Sequence, residues 1–257
     1  MKVIFDYLPG PVLGHKMRCE ILKRALLDRG HEIVTTGARD WLIYDYPTMP
    51  TEPAMGYKRL LMGQQPYGMG DYAWHPLGDA GKRIMTGAEY IIVEPDIAKL
   101  RQSHKPLNIL VTCGGSDPFE LTPVLLGALR LSANCGVIIG PNFKYDVYAP
   151  PNWKSYLAPD HNTLLSIMNQ YDTVVAAWGG TVFEALALGC KALPITTQPE
   201  HPQEAKKLGI AYLERTDAFA NLNARISNLP RKDYNIDAMG AERTVMQMEK
   251  WTARGSV

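Results

Sequence analysis

The stretch Thr173–Thr196, TVVAAWGGTVFEALALGCKALPIT, decides the fold class. Thr173 to Ala177 is a β-branched and alanine run of buried-strand type, Trp178-Gly179-Gly180 is a turn, Val182 to Leu188 has helical spacing, and Lys191 to Ile195 is a second apolar strand. Strand, glycine turn, helix and strand in 24 residues is a βαβ unit, which implies a parallel sheet.

Working outward, the same grammar repeats. Upstream, Leu107 to Thr112 (LNILVT) is a strand, CGGSDP is a glycine turn, and Leu121 to Leu131 is a helix with Leu125, Leu126 and Leu129 on one face. Cys135 to Gly140 is another strand and Thr163 to Asn169 a short helix. Nearer the start, Val3 to Tyr7 is a strand and Gly14 opens a loop. Met17 to Arg29 carries Ile21, Leu22, Ala25 and Leu26 at helical spacing before Gly30 stops it. Glu32 to Thr36 and Trp41 to Tyr46 (WLIYDY) read as further strands. YPTMPTEP, with three prolines in seven residues, forbids regular structure. Residues 47 to 88, rich in Gly, Pro, Met and Tyr, read equally as an ordered active-site loop or an irregular connection. RQSHKPL serves as a linker. The chain is therefore expected to be an α/β protein with two Rossmann-like domains, residues 1–104 and 105–238, and a ligand cleft between them. Met239 to Thr252 is expected to be a helix packing back on the first domain.

With 257 residues, 46% hydrophobic and 21% charged, the composition is that of a globular protein and excludes a disordered one. The 27 basic and 26 acidic side chains leave a net charge of +1, so no basic block advertises nucleic acid. Cys19, Cys113, Cys135 and Cys190 lie far apart with no C-x-x-C pair, which suggests neither zinc nor a disulfide framework. The start MKVIFDYLPG has no signal-peptide pattern and no run of about 18 apolar residues occurs, so a cytoplasmic protein without a membrane span is expected. No H-x-x-x-H, D-x-D or acidic cluster is available for a cation, and neither metal nor cofactor is expected.

Three glycine turns follow strands. In the first, Asp6 to Cys19, Gly14 precedes His15 at a helix N-terminus, where the backbone N–H groups and dipole favour a neutral imidazole, and hence a general base. The bland alternative is a polar helix-start residue. In the second, Gly114, Gly115 and Ser116 let backbone amides and a hydroxyl approach a diphosphate, without Walker or G-x-G-x-x-G spacing; the alternative is a tight turn with Asp117 capping the next helix. In the third, Gly179, Gly180 and Thr181 precede Glu184, one helical turn on, where a carboxylate accepts both hydroxyls of a ribose; the alternative is a Thr181–Glu184 capping box. Gln198, His201, Gln203 and Glu204 read as a loop where sugar hydroxyls would be recognised. His75, His104 and His161 have no metal-ligand spacing and read as structural or surface residues.

Together, GHKMRC at 14–19, ILVTCGGSDP at 109–118 and GGTVFEALALG at 179–189 resemble the UDP-sugar hydrolase of pseudaminic acid biosynthesis and, more distantly, the UDP-GlcNAc transferase of peptidoglycan assembly. Asp6, nine residues before His15, WLIYDY and TGAEYIIVEPDI extend the resemblance over most of the chain. It implies a GT-B architecture in which the second domain holds the nucleotide. It also implies that His15 activates the nucleophile, Gly115 and Ser116 lie at the diphosphate, Thr181 approaches phosphate, Glu184 binds ribose and Gln203 reaches the sugar; Asp6, Gly14 and Arg18 come with the first motif. Departures are Val12 and Trp178 where the hydrolase has glycines, Pro202-Gln203 in place of Asn-Gln, and no aspartate pair in RLLMGQQPYG. The nucleotide side is kept and the sugar side altered. The expected activity is a metal-independent, inverting glycosyltransferase with a UDP-sugar donor and an acceptor hydroxyl, a modified base in phage-type DNA being one flat acceptor that a short first domain would suit. A UDP-sugar hydrolase is the alternative, and an inert nucleotide-sugar binder a third reading.

Overall fold

A computed structural model of the chain describes residues 1–7, 13–46, 50, 56–63, 71–103, 105–130, 132–217, 219 and 221–254. Residues 47–49 and 51–55 of the proline segment, the QQPYGMG stretch, Val12 and His104 lie outside the described residues. The chain divides into two compact units, Met1–Pro95 with Asn235–Val257, and Asp96–Tyr234.

In the first unit, β1 (Lys2–Tyr7) leads to α1 (Leu13–Asp28), followed by β2 (Glu32–Ile33) and β3 (Trp41–Asp45). The segment that resists reading from sequence holds three further strands, β4 (Lys58–Met62), β5 (Asp71–Trp74) and β6 (Ile84–Met85). All pair in parallel in the order β2-β1-β3-β4-β5-β6. The strand alternation assigns faces: Trp41 and Ile43 of β3, Leu60 and Met62 of β4 and Trp74 of β5 join Leu22 and Leu26 of α1 in one buried cluster. On the opposite face, Arg59 and Asp71 are cross-strand neighbours and form a buried ion pair, Arg59 Nε donating to Asp71 Oδ1 at 2.9 Å.

The second unit begins with α2 (Ile97–Leu100), and its strands and helices run β7 (Leu107–Thr112), α3 (Leu121–Leu129), β8 (Gly136–Ile139), β9 (Lys154–Leu157), α4 (His161–Met168), β10 (Tyr171–Ala177), α5 (Gly180–Ala187), β11 (Lys191–Thr196), α6 (His201–Leu208), β12 (Leu213–Glu214) and α7 (Leu222–Ser227). Its six strands are parallel, in the order β12-β11-β10-β7-β8-β9. The last helix, α8 (Gly240–Ala253), belongs to the first unit and packs on α1. Val245, Met248 and Trp251 bury one face of it, Trp41 donates its indole N–H to Thr252 at 2.8 Å, and Arg29 makes a bidentate pair with Glu249. Gly240 is required there, because an added Cβ would lie 2.1 Å from the Ile91 carbonyl oxygen.

Two features of the sequence reading change. Glu32 to Thr36 shortens to a two-residue strand, and residues 201–208 form α6 rather than a loop, started by Pro202 in its first turn and closed by Gly209 in the left-handed region. No helix among the described residues is long and apolar enough to cross a membrane.

Candidate functional site

Strand order places the chemistry. In the first unit the chain goes from β1 outward to β2 and then returns to the other side of β1 as β3, so the switch point lies between β1 and β3. In the second, β8 and β9 lie on one side of β7 and β10 on the other, so the switch lies between β7 and β10. In open parallel sheets, ligands are bound beyond the strand carboxyl ends at such points.

At the first switch point, His15 sits in the opening turn of α1 and Asp45 ends β3 opposite Tyr7. Asp45 is in phase with Trp41 and Ile43, so it points into the buried face and is fully inaccessible. A carboxylate there requires partners. His15 Nδ1 lies 2.6 Å from Asp45 Oδ1, Arg18 Nε donates to Oδ2 at 2.6 Å and its Nη2 to Oδ1, and the Cys19 thiol donates to Oδ2 at 3.4 Å. These donors occupy positions 15, 18 and 19, one face of α1. Burial alone would push the Asp45 carboxyl up; the hydrogen bonds from His15 and Arg18 and the guanidinium charge outweigh it and hold Asp45 below the ordinary carboxylate range. An ionised Asp45 places the ring proton of His15 on Nδ1. Arg18 Nη2, 2.9 Å from that same nitrogen, is then a cationic neighbour rather than a second donor, since the Nδ1 lone pair is not available. Arg18 is braced from the other side by the Trp74 ring, 5.4 Å from its guanidinium carbon. The His15 side chain is 24% exposed, and its Nε2 makes no hydrogen bond among the described residues. The arrangement is an imidazole with one nitrogen fixed by a buried carboxylate and the other available to accept a proton.

Gly14 stands beside His15, with no atom of the described residues within 4 Å of a Cβ built on it. Asp6 does not join this cluster. It is paired in register with Tyr44, one residue out of phase with Asp45, so its side chain leaves the sheet on the opposite face. There it accepts a 2.6 Å hydrogen bond from Tyr46, whose phenol is pushed up to about 12 mainly by that bond.

At the second switch point, the two glycine turns follow the neighbouring strands β7 and β10. Gly114 has φ of 81°, and a Cβ on Gly140 would lie 2.4 Å from the Gly114 carbonyl oxygen and 2.5 Å from that of Gly115. The Asn142 N–H donates to Gly115 at 2.9 Å. The end of β8 is thus clamped on the turn that carries Gly115 and the half-buried Ser116. Gly140→Ala is expected to destabilise the protein by about 1–3 kcal/mol, because backbone, not a movable side-chain tip, fills the space; urea unfolding measures it, and an unchanged midpoint would mean that the turn yields freely. Asp117 caps α3 by accepting from the Leu121 and Thr122 N–H groups at 3.0 and 2.8 Å, and the Tyr145 hydroxyl donates to its carboxylate.

The Thr181–Glu184 capping box does not form. Gly179, with φ 156° and ψ −166°, is the N-cap and no side chain caps α5, so Gly180 and Thr181 present the first turn. Glu184 is buried, and His161 Nε2 lies 3.5 Å from its Oε1. Trp178 donates its indole N–H to Glu204 at 2.9 Å and packs beside the His201 ring at 5.9 Å, while Gln203 is exposed on α6. The His201 ring accepts from the Thr197 and Gln198 N–H groups at Nδ1, and burial lowers its basicity.

Sequence reasoning missed Asp45, His161 and Gly140. Only Asp45 left a signal, a charged residue in phase with Trp41 and Ile43. All four cysteines are buried and free, and burial pushes their thiols up, Cys113 to about 12, which makes thiolate chemistry unfavourable. Among the described residues, no three His, Cys, Asp or Glu side chains converge to hold a metal ion.

Comparison with solved structures gives the spinosyn forosaminyltransferase SpnP at a TM-score of 0.63 and 14% identity, covering 98% of this chain and 99% of that one. The fold is GT-B. MurG of Acinetobacter baumannii follows at a TM-score of 0.54, 14% identity and 97% and 99% coverage. The UDP-GlcNAc 2-epimerase of Methanocaldococcus jannaschii, solved with UDP-GlcNAc and UDP, gives 0.64 at 11% identity, with 97% and 100% coverage. The structural neighbours thus include a glycosyltransferase and a UDP-GlcNAc 2-epimerase, whereas the hydrolase resemblance rests on the motifs alone. No protein-family model matches the chain. Among curated proteins it is 26% identical over 140 residues to the spore coat polysaccharide biosynthesis protein SpsG of Bacillus subtilis, covering 49% of this chain and 40% of that protein. It is 29% identical over 118 residues to the uncharacterized protein MJ1062 of M. jannaschii, covering 42% and 24%. The chain spans less than half the length of these curated relatives.

Proposed function

We propose that the chain is a metal-independent, inverting glycosyltransferase that takes a nucleotide sugar, with a UDP-sugar as the expected donor. The observation that carries this reading is the His15–Asp45 pair at the β1/β3 switch point of a GT-B fold. His15 takes the proton of an acceptor hydroxyl at Nε2 as that oxygen attacks the anomeric carbon, and Asp45 stabilises the imidazolium that forms. The C1–O bond to the diphosphate breaks with its electron pair on phosphate. Amides of Gly115 and Ser116, the Ser116 hydroxyl and the first turn of α5 at Gly180 and Thr181 meet that charge. Glu184 accepts from the ribose hydroxyls, and the sugar is read at α6, where Trp178, His201 and Glu204 supply a half-buried polar and aromatic group.

The proposal is tested by proton NMR of mixtures of UDP-, GDP- and CMP-sugars with candidate acceptors. A new glycoside whose anomeric configuration is opposite to that of the donor supports it. Retention of configuration would overturn the single displacement assigned to His15.

A further inference from the structure

Glu184 sits on α5 between Phe183 and Ala185, in a run from Val182 to Ala187 that is buried throughout. Its side chain is only 11% exposed. A carboxylate in such surroundings loses hydration and is held where a polar partner holds it. Glutamate also has rotamers to spare, so any use of its two oxygens as a pair depends on what fixes them. One group that reaches it is His161, whose Nε2 is 3.5 Å from Oε1, within ion-pair distance though without a hydrogen bond between them, with the imidazole itself only 16% exposed. His161 is in turn well placed. It is the first residue of α4, whose start is locked by Asp160: one carboxylate oxygen accepts the Thr163 N–H at 2.9 Å and the other the Thr163 hydroxyl at 2.7 Å. α4 packs on α5 and β10, so the imidazole is delivered by a capped helix rather than by a loop.

We infer that His161 is a positioning residue that fixes the Glu184 carboxylate and thereby sets selection of ribonucleotides over 2′-deoxyribonucleotides. This rests on the reading of Glu184 as the ribose-binding carboxylate. The two hydroxyls of a ribose are adjacent donors, and a carboxylate satisfies both only when its plane is set to offer one lone pair from each oxygen. With the buried His161 ring 3.5 Å from Oε1, an ion pair to its protonated form restricts how that plane can turn. A ligand without the 2′-hydroxyl then leaves a buried acceptor lone pair unmet, which is the condition under which a site rejects an analogue lacking one hydroxyl. Without the tether the carboxylate turns to meet what is present, and the penalty for the missing hydroxyl falls.

The experiment is calorimetric titration of the full chain with UDP, GDP and CDP and with their 2′-deoxy counterparts, on wild type, His161→Leu, His161→Gln and Glu184→Gln. Wild type is expected to prefer the ribonucleotide by about tenfold, the scale of one unmet hydrogen bond. In His161→Leu the preference falls to within about twofold, near that of Glu184→Gln, while His161→Gln, which keeps an N–H donor, restores most of it. Should the leucine variant fail to fold, His161→Asn, polar but too short to reach Glu184, carries the same expectation of loss. A preference that survives in His161→Leu or His161→Asn but is lost in Glu184→Gln would overturn the inference and leave the ribose reading intact. A wild type that binds these nucleotides with no ribose preference, or binds none of them, would overturn the ribose reading, and the inference with it.

Discussion

Replacing His15 with alanine is expected to lower kcat/KM by about a thousandfold, the middle of the range for removing a general base. The nucleotide dissociation constant should stay within about twofold, because the groups assigned to the nucleotide lie in the other unit. The expectation follows from the division of labour at the ring. Nδ1 is committed to Asp45 at 2.6 Å, and only Nε2 remains to accept a proton. Alanine removes the acceptor and one hydrogen bond to the buried Asp45, which keeps Arg18 and Cys19 as partners, while α1 stays anchored by Leu22 and Leu26. Stability is expected to fall by the scale of that one lost hydrogen bond, about 1 kcal/mol, read by thermal unfolding. A loss of affinity in place of a loss of turnover would place His15 in ground-state binding.

Replacing Asp45 with asparagine is expected to act on both turnover and stability. An asparagine side chain fits the space, but its amide can present N–H to His15 and leave the imidazole in the wrong tautomer, for a loss of about a hundredfold or more in turnover. Combined with His15→Ala, the two losses should fall far short of multiplying, because the residues act as one unit. The structural cost arises at Arg18, whose guanidinium pairs with Asp45 on a site where the carboxylate is fully buried; removing that charge is expected to cost about 3 kcal/mol. The pH dependence has a defined sign. Asp45 is depressed in the folded chain, so it stabilises the fold above the ordinary carboxylate value of about 4 and loses that contribution as pH falls through its lower folded value. Chemical denaturation of wild type from neutral pH downward should show this acid limb, and Asp45→Asn should flatten it. An acid limb unchanged by the substitution would assign it to other carboxylates.

How far the sequence was legible depends on whether local pattern or distant packing decides each element. The second unit alternates apolar strands with helical periods, and β7, β10, α5 and β11 were readable within a residue or two because strands buried on both faces are apolar throughout. β4 and β5 were not. Arg59 and Asp71 break their hydrophobic pattern, and they are buried as an ion pair across the sheet. β12, two residues long, leaves no periodicity to detect. At the candidate site the same contrast holds. His15 and Arg18 were found from a local motif, as were the glycine turns and Glu184. Asp45 stands 30 residues from His15 and His161 stands 23 before Glu184, so their roles exist only once the sheets are assembled. Gln203, carried by resemblance, is exposed on α6, while its neighbour Glu204 makes the contact with Trp178.

The most direct test of the central claim is nucleotide release from UDP-, GDP- and CMP-sugars, with and without candidate acceptors, by wild type and His15→Ala. Release that requires an acceptor and is lost in His15→Ala is the predicted result. Release without any acceptor that disappears in His15→Ala would contradict it and assign water, in a hydrolase, as the oxygen that His15 activates.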